Sequence, residues 1–533
     1  MDNSHSWRQV APHKDPLRLC DLTLASVAGL VATTTTNHKN KSDLKNVCEL
    51  LRTSLPLDVR TDVMREVASS QKNENKHQLK ALLCTHLLTD VNHIGITTDV
   101  KSKQQVHFDH EDCHEILEVL NDVKIFHLES LHLEGVEMEE GFLPRILDRC
   151  PQLWYIHVSG DLCSEVLTHL QENPCDLRSL QLDSCTVSDE DVVRALVGAN
   201  TDFSALGNII CSGGDATELE SAALQSLRFL SVESPRLSVC GALVLLCFLR
   251  NLRQIQYTAW NSPISDILLF LQQVTTDPGS FSLSSLAQWR PTEETLRSLV
   301  ALCPRLERLM IECYDPSLTS FEVLSEFQEL KALSLRLVSE ELIVSAVKAV
   351  GKNLLELDLE FEEYTYHSIS MDTIKAIQEH CPHLQRLEMK HVNISSSHGD
   401  RLPFLKNAIA FPELKRFTLS SAVIQPALLE RLIAHNRSLE TLTLDVNQDA
   451  LTDAVMDKLL KNNSLHKLSV IYLGAGSLSA QSITSLLALP SLTKLSLDLK
   501  RFPFIPVSTF TTLEETLAKG NYQCGLENIA KDD

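Results

Sequence analysis

The chain has 533 residues, 44% of them hydrophobic, which is enough apolar material to bury a large core in several domains or in one extended array. Its 70 Asp and Glu against 48 Lys and Arg leave a net charge of −22, a field that repels a bare phosphate backbone and speaks against nucleic acid as a partner. The opening MDNSHSWRQV has no apolar signal core, and the longest apolar runs, such as ALVLLCFL from Ala242, are too short to span a bilayer, so a cytoplasmic or nuclear protein with no membrane association is expected. The 15 cysteines are scattered among apolar neighbours without a CxxC pair, which reads as reduced, buried thiols. The glycosylation sequons at Asn393 and Asn436 then carry no meaning.

The predicted elements begin with helices. PLRLCDLTLASVAGLVA (residues 16–32) reads as an apolar helix, LKNVCELL from Leu44 as a second and LPLDVRTDVMREVAS from Leu55 as a third, separated by polar TTTTNHKNKSD. Pro56 starts the third helix, and Val59 and Val63 continue a narrow apolar stripe with Leu55 beside it. Residues 1–105 are therefore expected to form a helical adaptor or cap domain. Next comes HEDCHE, which sets His110, Glu111 and His114 in the HExxH spacing that can hold zinc on a helix. No third ligand follows, and Asp109, Asp112 and Glu115 suit a solvated first helical turn. No catalytic residue, metal or cofactor is expected, and GAGS from Gly474 lacks the lysine of a phosphate loop.

From Leu128 onward one frame recurs: Leu, two residues, an aliphatic, one residue, an aliphatic. It starts at Leu128, Leu153, Leu177, Leu227, Leu252, Leu306, Leu330, Leu354, Leu384, Leu414, Leu439, Leu465 and Leu492, at intervals of about 25 residues. The double intervals after Leu177 and Leu252 leave room for degenerate units around Phe203 and Leu283, giving about fifteen units over residues 106–510 and a C-terminal tail over 511–533. Each frame ends as a short strand, and helical spacing follows, as in TIKAIQEHC from Thr373. Three units open with Cys-Pro, at Cys150, Cys303 and Cys381; the cysteine closes the helix towards the core and the proline turns the chain into the next strand. The expected fold is an α/β solenoid, a horseshoe of parallel sheet backed by helices, with Leu309, Ile311, Leu357, Leu359, Leu387 and Met389 buried. The frame resembles cysteine-containing leucine-rich repeats of intracellular F-box receptors, and the ribonuclease-inhibitor and PRAME-type repeats.

Strand residues between the buried positions would line the concave face: Tyr155, His157, Phe229, Arg308, Met310, Glu356, Asp358, Glu360, Arg386 and Lys390. Aromatic, acidic and basic groups there suit a protein substrate. The N-terminal stretch followed by such an array resembles the receptor subunits of cullin RING ubiquitin ligases that use Elongin B and C. DPLRLCDLTL is similar to their BC box, with Cys20 and Leu24 in place and Pro16 standing where the family has Leu; LPLDV resembles the cullin box, and LKALLCTHL from Leu79 resembles the PRAME-type continuation. The resemblance implies a non-catalytic substrate-recognition subunit that docks Elongin C through Leu17, Cys20 and Leu24 and a cullin through Leu55, Pro56, Val59 and Val63. A plain helical cap on an interaction scaffold, inhibitor or sensor fits the same apolar residues, and an F-box-type receptor is the nearest variant.

Overall fold

The structure, a computed structural model, describes residues 93–97, 106–111, 113–114, 116, 128–173, 175–198, 224–257, 264–274, 281–313, 318–362, 367–395, 411–461, 465–487, 489–498, 501–502 and 525–528. They fall into two compact units that divide between Ser284 and Ser285.

In the first unit, strands His93–Thr97, Ser130–Glu134, Tyr155–Ser159, Ser179–Asp183, Phe229–Val232 and Gln254–Tyr257 pair in chain order, all parallel. Helices Phe142–Leu147, Leu162–Glu172, Asp189–Val197, Val239–Phe248 and Ile264–Val274 fill the connections. In the second unit the parallel ladder runs through Ser285–Trp289, Arg308–Glu312, Ala332–Arg336, Glu356–Glu360, Arg386–Lys390, Arg416–Ile424, Thr441–Val446, Val470–Leu473, Lys494–Leu497 and Gly525–Asn528. Its connections carry helices Glu293–Leu302, Glu340–Val350, Met371–His380, Pro426–Ile433, Asp453–Lys461 and Ala480–Leu487. Parallel pairing of successive strands, each followed by a crossover, makes each unit an α/β solenoid of the leucine-rich-repeat type.

The register confirms the frame. Leu309, Leu333, Leu357 and Leu387 lie side by side, as do Ile311, Leu335, Leu359 and Met389, and all eight are at most 2% exposed. Each strand thus buries one face against its helices and leaves the other open. Cys303 and Cys381 cap the helices before them and are essentially inaccessible, and the Cys150 thiol donates to the Ile146 carbonyl. Burial pushes all three thiols up to about 12, so they stay protonated and serve as small apolar residues. The same turn position is filled by Gly351, where a Cβ would come within 2.5 Å of the His380 carbonyl oxygen, and by fully buried Asn436. The Asn436 amide donates to the Leu432 carbonyl, four residues back like the Cys150 thiol, while its oxygen accepts from the Phe411 N–H.

The structure refines the sequence frame in detail. Ile471 pairs with Leu442 and Leu473 with Leu444, so the frame of that unit starts at Leu468; Leu465 occupies the turn position that cysteine takes elsewhere, its carbonyl accepting from Leu468 N–H as the Cys381 carbonyl does from Leu384 N–H. Ser179–Asp183 pairs directly with Phe229–Val232, so these two strands are neighbours in the ladder, and the unit expected around Phe203 lies outside the described residues. The unit at Leu283 is present, with buried Gln288 in place of an aliphatic. The ladder also runs past both ends of the 106–510 interval: Val91, Ile94 and Ile96 keep the frame with Val for Leu, and Gly525–Asn528 pairs with Lys494–Leu497.

Candidate functional site

The open strand face is where side chains are free of the core, and both units carry polar groups on it. In the first unit, equivalent positions of adjacent strands bring His132 beside His157, with rings stacked 4.1 Å apart at 15°. His157 bonds Asp183 Oδ2 at 2.7 Å and Gln181 donates to the same oxygen at 2.9 Å. Burial alone would raise the Asp183 carboxyl, but the bonds from His157 and Gln181 outweigh it and hold the group below its usual range. Tyr155 stands beside this cluster and its phenol is pushed up by burial and then by Asp183. His157 therefore lies on the expected face, yet it is only 7% exposed because its neighbours cover it; Tyr155 and Phe229 are half-buried.

In the second unit the residues expected on the face form one charged lattice. Arg308 and Glu356 occupy the same position two strands apart, and between them stands Ala332, whose methyl leaves the space open. Arg308 spans it with a paired bond, Nη1 to Glu356 Oε2 at 3.0 Å and Nη2 to Oε1 at 3.1 Å. On the next strand Glu388 has both carboxylate oxygens occupied, by Arg386 at 2.6 Å and Lys390 at 2.9 Å. Burial would raise Glu388, and those two cations bring it below its usual range instead. At the strand ends Arg336 pairs with Glu360 at 3.2 Å.

Asp358 is the exception. Its Oδ2 accepts from Ser334 Oγ at 3.2 Å, whereas its Oδ1 is buried and accepts nothing. Burial is the largest influence on it and raises its carboxyl above the usual value, with Lys390 pulling it down and Glu388 pushing it further up. Asp358 lines a hollow of about 170 Å³ together with Arg308, Met310, Ala332, Ser334, Glu356 and Arg386.

The structure thus brings Arg308, Met310, Glu356, Asp358, Glu360, Arg386 and Lys390 together on one face and Tyr155, His157 and Phe229 on another. Leu17, Cys20, Leu24, Leu55, Pro56, Val59 and Val63 lie outside the described residues. Sequence reasoning missed His132, Asp183, Ala332, Ser334 and Glu388, all of which the period-two frame could have supplied had every intervening strand position been read. It also missed Trp154 and Trp289, exposed at 39% and 46%. The HExxH residues His110, Glu111 and His114 are exposed, and His110 Nδ1 pairs with Glu139 at 2.6 Å while Cys113 and Ile116 face the core. Among the described residues no group of three or more His, Cys, Asp or Glu is placed to hold a metal, and no helix is long and apolar enough to cross a membrane.

A leucine rich repeat family model matches residues 127–151, from His127 through the proline of the first Cys-Pro pair. No curated protein matches the chain in sequence. Among solved structures, an internalin (inlF) of Listeria monocytogenes is 12% identical, with 91% of this chain and 95% of that one covered at a TM-score of 0.31. A leucine-rich-repeat protein of Leptospira interrogans is 15% identical, with coverage of 86% and 93% and a TM-score of 0.33. The yeast Rad7 and Elc1 complex matches at 13% identity, with coverage of 90% and 92% and a TM-score of 0.37. At scores this low the likenesses decide nothing about function, and the repeat architecture rests on the strand registers themselves.

Proposed function

We propose that the chain is a non-catalytic protein-interaction subunit that receives a protein substrate on its open strand face and docks Elongin B, Elongin C and a cullin through its N-terminal segment, serving as the substrate-recognition part of a cullin RING ubiquitin ligase in the cytoplasm or nucleus. The observation that carries the interaction half is the lattice from Arg308 to Lys390, an open face of mixed charge with a hollow in it, where complementary potentials select a partner. The ligase half is supported by the BC-box-like DPLRLCDLTL and cullin-box-like LPLDV segments, in which Leu17, Cys20 and Leu24 share one helical stripe by spacing.

The test is copurification of the full chain from cells. The parent chain is expected to retain Elongin B, Elongin C and a cullin. Few residues dominate such an interface, so Leu17→Ser with Cys20→Phe should remove all three without changing the melting of the repeats. Arg308→Glu with Arg386→Glu should keep them and lose the substrate. Retention of the F-box adaptor instead would make the chain an F-box-type receptor, and retention of neither adaptor would leave a capped interaction scaffold.

A further inference from the structure

Among the strand-face carboxylates of the second unit that the lattice engages, Glu356 and Glu388 have each oxygen bonded to a cation, whereas Asp358 Oδ1 has no partner. A buried acceptor left unpaired is costly, so its persistence at the edge of a hollow points to a donor that arrives from outside. The hollow is lined by apolar Met310 and Ala332 and by polar Ser334 and Asp358, beside the paired Arg308, Glu356 and Arg386. Its volume of about 170 Å³ suits one extended side chain rather than a cofactor.

We propose that this hollow is a lysine pocket: a protein bound to the open face inserts one lysine, whose methylene stem lies along Met310 and Ala332 and whose ammonium bonds the Asp358 carboxylate. The reading rests on the interaction half of the proposed function. An ammonium is favoured over a guanidinium because only one carboxylate oxygen is free, the other being held by Ser334, and a planar fork needs two. Oδ1 is itself buried, so a partial turn of the carboxylate about its broad terminal torsion is needed to bring it to the entering group, with the Ser334 hydroxyl following Oδ2. Of the neighbouring cations Arg308 is paired with Glu356, whereas Arg386 and Lys390 share Glu388, so Lys390 is the charge with which the entering ammonium competes for Asp358. The net charge of −22 draws basic partners to the chain in the first place.

The test uses the full chain labelled with carbon-13 at its methionine methyl groups, titrated with n-butylammonium chloride at constant ionic strength, with Met310 as reporter. A saturable shift of the Met310 signal is expected, weaker for n-butylguanidinium and absent for n-butanol. Asp358→Asn should weaken binding of the ammonium about tenfold or more, the loss of one charge-assisted bond. Ala332→Leu, which fills the hollow without touching the carboxylate, should abolish it. An unmoved Met310 signal, equal binding of butanol, or undiminished binding by either variant overturns the pocket. Because the probe needs no partner protein, a silent Met310 alongside successful copurification removes the pocket and leaves the receptor reading, and a Met310 shift alongside failed copurification does the reverse.

Discussion

At the scale of single residues, two aspartates on the open faces answer pH in opposite ways. Asp358 holds its proton more tightly in the folded chain than unfolded, where the value is near 3.8, because burial dominates its surroundings. Ionising it therefore lowers stability: the penalty is absent below the unfolded value and fully present once pH exceeds the raised one. Asp358→Asn is expected to raise the melting temperature at pH 7, with the gain closing as pH falls through the carboxylate range. A lower melting temperature at pH 7 would show that Asp358 is satisfied in some other way. Asp183 is the mirror case, since His157 and Gln181 hold it below 3.8 despite burial. Its stabilisation is present above the unfolded value and lost as pH falls through the lowered one, so Asp183→Asn should melt lower at pH 7 and converge on the parent only once pH has fallen through that lowered value. A carboxylate retained at a cost to folding is what a binding site keeps, and a satisfied one is what a scaffold keeps.

At the scale of elements, neighbouring helices are strapped by acids that cap the next repeat. Asp189, first in its helix, accepts from the N–H and hydroxyl of Ser238, the N-cap of the following helix. Glu340 does the same for Ser370 and adds the Thr373 hydroxyl, and Asp453 accepts from Ser479 N–H and the Ser482 hydroxyl. Each strap satisfies orphan donors at a helix start and also suits the positive end of the helix dipole. Glu340→Ala should lower stability by about 1–2 kcal/mol, read as a fall in the urea midpoint with an unchanged slope, while Glu340→Gln, which keeps one acceptor, loses less. No local signal marks these straps, because they join residues 26 to 49 positions apart; the Ser and Thr caps themselves are legible. A second regularity also escaped the sequence. The residue just after many strands is left-handed, as Gly135 and Gly160 but also as Ser184, Arg290, Leu337 and His391, and only the glycines announce it.

At the scale of the whole chain, the strand positions were legible because a period of two sorts each residue to one face, and Leu309, Ile311, Leu357, Leu359, Leu387 and Met389 are buried as the frame requires. The slip at Leu465 arose where leucine occupies both the turn and the strand position, so the frame fits twice. The face residues could be named but their pairing could not: Arg308 meets Glu356 across Ala332 only because the register is exact to the residue through three strands. Repeats that touch only their neighbours make damage local. Leu357 is fully buried between Leu333 and Leu387, and an aspartate there would strand a charge in the core at several kcal/mol. Leu357→Asp should therefore speed amide exchange in Ala332–Arg336, Glu356–Glu360 and Arg386–Lys390 far more than in Tyr155–Ser159, which belongs to the other unit. Exchange that rises equally in all four strands would mean that the two units unfold as one, and an unchanged rate in the first three would mean that Leu357 does not hold the core.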